Sequence, residues 1–238
     1  MKSKKRTILV IAVIALLLLA ALIVAVLELT GGKSDVVAEQ AVVSFENVLA
    51  AMPDQLASDA ATGGWALSAP DGSARVLWNT AGAYGVILEW NAQPFLDAGL
   101  DAAKLPPEYT VGDGTLSLGV TLGKGQTADG ATPQEGFRNL IQTDPAILNF
   151  HLSLDHFGLL MGGGNLFEWA SDLDTNAATG AQQDKDVVFV LDPEPLIAAG
   201  VNPEIVAGWA YAQVEVMQNQ AVEKVYKFLK PFNIGSVN

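Results

Sequence analysis

The residue types best suited to chemistry are clustered late in the chain. Both histidines, His151 and His156, fall close together with Asp155 between them. Imidazole and carboxylate are standard ligands for a divalent ion. If a strand carrying His151 turns back through Asp155 and His156, the three converge on a metal ion whose bound water would serve a metal-dependent hydrolase. The spacing matches no specific metal motif. The simpler alternative makes His151 an outward strand residue standing where Ala66 stands earlier, with Asp155 and His156 in a turn.

A second cluster offers oxygen ligands. Asp172, Asp174 and Asn176 occupy positions one, three and five of a calcium loop, as a structural calcium-binding domain would require. Ala177, however, stands where the loop's sharp turn needs Gly, and Gln183 stands where a bidentate Glu belongs. A solvated polar loop is the alternative, with Asp184 and Asp186 nearby. A divalent metal is thus the one cofactor the sequence suggests.

No nucleophile elbow, phosphate-binding loop, zinc-protease helix or dinucleotide fingerprint occurs in the sequence. The aromatic residues do not make a sugar platform. Trp78, Trp90 and Trp169 fall in segments that read as strands, and Trp65 and Trp209 begin strands, where aromatic side chains are core.

These clusters sit in an acidic, cysteine-free chain. The formal net charge is −13, and four of the 13 basic residues, Lys2, Lys4, Lys5 and Arg6, precede an uncharged apolar run from Thr7 to Leu27. Beyond Glu28, which follows that run, stand nine basic against 25 acidic residues. Such a surface repels phosphate backbones, so nucleic acid is not an expected partner. Having no Cys excludes disulfides and thiolate metal sites.

An apolar helix of this length rises roughly 30 Å and spans a bilayer. It runs into Glu28, Leu29 and Thr30 without a small-residue cleavage site, so an uncleaved single-pass anchor is expected. The basic stub stays inside, which puts the rest outside the cytoplasm. Residues 1–33 are therefore expected to be stub and anchor, and 34–238 an extracytoplasmic domain.

That domain repeats itself. The stretch Val86 to Leu105 aligns without a gap on Val187 to Val206, with Pro94 on Pro195, Gly99 on Gly200 and Asp101 on Asn202. Upstream, Phe45 to Leu49 resembles Phe137 to Ile141, Trp65 to Ser68 answers Phe150 to Ser153, and Val76 to Trp78 loosely answers Leu166 to Trp169. Residues of about 35–122 and about 132–217 thus read as tandem diverged copies.

Each copy opens with a helix. Val37, Ala41, Phe45, Val48, Leu49 and Met52 keep helical spacing before Pro53, and Thr132-Pro-Gln-Glu135 is a capping box. Two or three strands follow, with Val86, Leu88 and Trp90 on one face. Next comes a connector that Asn91 or Asp192 can cap and Gly99 or Gly200 can end, and then a final strand. Val222, Val225, Tyr226 and Leu229 predict a closing helix over about 220–230.

The expected fold is α+β: two tandem diverged copies of a helix/antiparallel-strand unit with pseudo-two-fold symmetry, preceded by one transmembrane helix. The expected function is a membrane-anchored, non-enzymatic, extracytoplasmic binding domain for a protein, peptide or cell-envelope partner. The hydrolase centred on His151, Asp155 and His156 and the calcium-binding domain are the alternatives.

Overall fold

Alternation of apolar and polar residues dominates this chain, and in a computed structural model it becomes two antiparallel six-stranded sheets. The structure describes residues 37–82, 84–122, 130, 132–151, 156–170, 187–218 and 221–232. Residues 7–27 lie outside these. Among the described residues no helix is long and apolar enough to cross a membrane.

The first sheet follows helix α1 (residues 37–51) and holds β1 (Leu56–Ser58), β2 (Trp65–Ser68), β3 (Ala74–Trp78), β4 (Val86–Asn91), β5 (Tyr109–Gly112) and β6 (Thr115–Val120). The second follows α3 (Pro133–Thr143) and holds β7 (Leu148–His151), β8 (His156–Leu160), β9 (Leu166–Ala170), β10 (Val187–Leu191), β11 (Ala210–Gln218) and β12 (Ala221–Phe232). Short helices α2 (Gln93–Asp97) and α4 (Pro193–Ala198) follow β4 and β10.

Strand order is β1-β2-β3-β4-β6-β5 in one sheet and, read from the matching edge, β7-β8-β9-β10-β12-β11 in the other. The two orders coincide position by position, so the chain consists of two similar α+β halves. Register gives the residue correspondence. Trp78 pairs with Val86 and Trp65, while Trp169 pairs with Val187 and Phe157. Trp78 therefore matches Trp169, and Trp65 matches Phe157. The expected match of Trp65 with Phe150 was out by one strand, because each half has four strands before its connector rather than two or three.

The helix starts and stops behave as their residues demand. Thr132 accepts a hydrogen bond from the Glu135 N–H at 3.1 Å, and Pro133 takes the first helical turn, where a missing N–H costs nothing. One face of each helix carries the core. Phe45 and Phe137 stack at 3.9 Å between Trp78 and Trp169, and all four rings are at most 1% exposed. Phe45 lies 5.4 Å from Trp78 and Phe137 lies 5.6 Å from Trp169, so the two halves contribute like rings to one core. Burying rings of this size stabilises by roughly 2–3 kcal/mol each.

The connectors meet. Gly99 and Gly200 adopt φ of 103° and 105°, ending α2 and α4 in a conformation that glycine reaches without strain. The Asp101 N–H donates to the Ala199 carbonyl and the Asn202 N–H donates to the Ala98 carbonyl, both at 2.8 Å. Asp101 and Asn202 then cap matching short turns by accepting from the Ala103 and Glu204 N–H groups. Asn91 accepts from the Gln93 N–H as expected, but Asp192 does not cap α4 and pairs with Lys227 instead.

The closing helix expected over 220–230 is instead strand β12, paired with β11 from Ala210↔Leu229 to Gln218↔Ala221 and with β10 from Leu191↔Phe228 to Val187↔Phe232. Residues 222, 225, 226 and 229 happen to keep helical spacing. The decisive pattern lies upstream, where Tyr211, Gln213, Glu215 and Met217 alternate with Ala212, Val214 and Val216 and make a strand that β12 completes. The second half therefore runs to Phe232 rather than ending near 217.

Candidate functional site

The register sets His151 opposite His156 at the end of the β7–β8 hairpin. His156 therefore begins a strand rather than lying in a turn. His151 does not replace Ala66; its counterpart in the first half is Asp59, whose N–H donates to the Gly64 carbonyl at the end of the β1–β2 pair. Asp155 lies outside the described residues, as do Asp172, Asp174 and Asn176. Among the described residues no group of three His, Cys, Asp or Glu side chains is placed to hold a metal ion. Trp78, Trp90 and Trp169 are buried as expected, whereas Trp65, at the start of β2, and Trp209, just before β11, are half-buried rather than core.

A polar cleft of about 270 Å³ opens at one corner of the first sheet. Strand alternation builds it. Val76, Leu88 and Trp90 turn inward, so their neighbours Arg75, Glu89 and Asn91 face out. Ser73 comes from the β2–β3 turn and Thr115 from the start of β6, directly paired with Asn91. The Asn91 N–H donates to the Ser73 carbonyl at 2.8 Å, which fixes one wall to the other.

Arg75 organises the charge beside the cleft. Its Nε donates to Glu89 at 2.6 Å and an Nη donates to Asp59 at 3.0 Å, so two carboxylates share one guanidinium. Burial works to raise the Asp59 pKa, but the Thr62 N–H and hydroxyl, Arg75 and the Ala61 N–H outweigh it and hold the carboxyl below its usual range. The three groups sum to one negative charge. With the hydroxyls of Ser73 and Thr115 and the Asn91 amide, the cleft offers donors and acceptors to a neutral or cationic polar group.

The second half fills the same corner. By register, Asp192 stands for Asn91, Lys227 for Thr115, Leu166 for Arg75 and Val190 for Glu89. Lys227 reaches across to Asp192 at 3.3 Å and to the Gly164 carbonyl at 3.2 Å. Val188, Val190 and Leu229 form an apolar cluster with Leu166 packed against it. One scaffold thus carries a polar cleft in one half, and an ion pair beside an apolar patch in the other.

Residue-type scanning missed this cleft because Arg75, Glu89 and Asn91 are ordinary strand residues one at a time. The signal was the comparison of outward positions between copies, Arg75 and Glu89 against Leu166 and Val190. Comparison with protein-family models, curated proteins and solved structures finds no match to this chain.

Proposed function

We propose that the chain is a membrane-anchored, extracytoplasmic binding domain, built from a tandem duplication with pseudo-two-fold symmetry, that holds a polar group of a peptide or cell-envelope partner in the cleft beside Arg75. The observation that carries this reading is the divergence at one corner. Paired halves keep what the scaffold needs, such as Trp78 and Trp169 or Gly99 and Gly200, whereas Asn91 and Thr115 line an open cleft at the corner where their counterparts Asp192 and Lys227 form an ion pair. The groups lining it form hydrogen bonds to a ligand rather than attack it. The anchor rests on the uncharged run from Thr7 to Leu27 behind its basic stub.

A photoreactive amino acid at Thr115 of the full chain, expressed in intact cells, tests the cleft. It is expected to trap one discrete partner that the same group at exposed Glu223 does not trap. Equal trapping at both positions would refute the reading. A reporter active only outside the cytoplasm, fused after Asn238, tests the topology and is expected to be active.

A second reading keeps a divalent metal at His151 and His156 with Asp155, as in a hydrolase. It is favoured by the register that sets the two histidines opposite each other. Its test is elemental analysis of the purified chain: a stoichiometric transition metal that disappears in His151→Ala would support it. The calcium reading at Asp172, Asp174 and Asn176 calls for a calcium-dependent rise in melting temperature that Asp172→Ala abolishes.

A further inference from the structure

Sheet edges are sites of unwanted or wanted pairing, and three of the four here are short. β1 has three residues, β5 four and β7 four, whereas edge strand β11 has nine. Natural edges are usually protected by Pro, Lys, a bulge or brevity. β11 reads Ala-Tyr-Ala-Gln-Val-Glu-Val-Met-Gln, with no Pro, Gly or Lys and with Glu215 as its one charge.

The hairpin also outreaches its sheet. β12 pairs with β10 only over Phe228 to Phe232 and with β11 over Ala221 to Leu229. Residues 221–227 and their partners thus form a two-stranded ribbon beyond the third strand, and two strands alone are marginal in water. On the β12 side the ribbon carries Glu223, Lys224 and Lys227. Among the described residues, β11 is the long edge without such protection.

We infer that β11 pairs antiparallel with β11 of a second copy, joining the second sheets of two chains into one continuous sheet. A two-fold centred on Val214 sets Ala212 opposite Val216, Tyr211 opposite Met217 and Gln213 opposite Glu215, so the strand's one charge meets a neutral amide twice and like charges never oppose. Nine-residue β11 itself carries one charge, in a chain of −13, so the approach of two acidic copies is little opposed along this edge. This surface is separate from the cleft, and the inference does not rest on what the cleft binds.

The test measures the mass of the full chain in detergent micelles by sedimentation. A dimer is expected. Gln213 is exposed, so its replacement leaves the core intact, and an unchanged melting temperature verifies that. Gln213→Glu is expected to raise the dimer dissociation constant at least about tenfold, by setting carboxylates opposite one another twice, while Gln213→Lys leaves it equal or tighter. Because the chain has no Cys, Val214→Cys supplies a single thiol that should oxidise to a covalent dimer, whereas Thr110→Cys on β5 should not. A monomer at micromolar concentration would overturn the inference. So would a dimer indifferent to both Gln213 changes, or a monomer that binds a foreign extended peptide along β11.

Discussion

Gly99 and Gly200 face each other across the junction of the two halves: a Cβ on Gly99 would lie 2.8 Å from the Gly200 carbonyl oxygen, and one on Gly200 would lie 2.7 Å from the Gly99 oxygen. Each glycine therefore meets two demands at once. It takes a φ that side chains avoid, and it lets the other connector's backbone approach closely enough for the reciprocal bonds from Asp101 and Asn202. The best-matched stretch of sequence is thus the contact between the halves.

Gly99→Ala and Gly200→Ala are each expected to destabilise by about 2–4 kcal/mol, through strain at φ and displacement of a backbone carbonyl. Gly114→Ala separates the two effects. Its φ is 76°, but an added Cβ meets nothing within 4 Å, so a loss of only about 1 kcal/mol is expected. The double replacement should cost less than the sum of the singles, because both disturb one contact. Denaturant unfolding of the four variants checks this.

Lys230 joins the halves by pairing with Asp71 at 2.9 Å. Burial pushes the Asp71 carboxyl up, but the Ser73 hydroxyl, Lys230 and the Ser73 N–H outweigh it and hold the pKa at about 2 against an ordinary 3.8. Because the folded value is the lower one, this stabilisation is present above the ordinary value and lost as pH falls through about 2. Asp71→Asn should therefore melt below the parent at neutral pH, with the gap closing between pH about 4 and about 2. A gap independent of pH would show that the carboxylate charge contributes nothing.

Matched tryptophans provide an internal control. Trp78 donates from Nε1 to the Pro133 carbonyl at 2.9 Å, whereas the buried Nε1 of Trp169 has no hydrogen-bond partner among the described residues. Phe in place of either removes similar ring volume, yet only Trp78→Phe also breaks a hydrogen bond. It is expected to cost about 1 kcal/mol more than Trp169→Phe, measured by equilibrium unfolding.

The likeness of the two halves was legible in the sequence because glycine, proline and capping positions in the connector are set by local backbone geometry, which one chain displays without its neighbours. The end of the second half was misread because Val222, Val225, Tyr226 and Leu229 fit a helix locally, while only pairing with β11 and β10 makes them a strand. The cleft was hidden for a related reason. Its shape depends on Thr115 being short where Lys227 is long, a difference that has meaning only once register sets the two positions side by side.

If the open corner beside Arg75 holds the partner, giving that corner the second half's chemistry abolishes binding. Asn91→Asp combined with Thr115→Lys introduces the ion pair that closes the corner in the other half, at positions already paired in register. The full chain carrying both changes, with a photoreactive group at exposed Asp113 on the adjoining turn, is then compared with the same labelled chain lacking them. An unchanged melting temperature and loss of the trapped partner are expected. Undiminished trapping by the closed variant would contradict it.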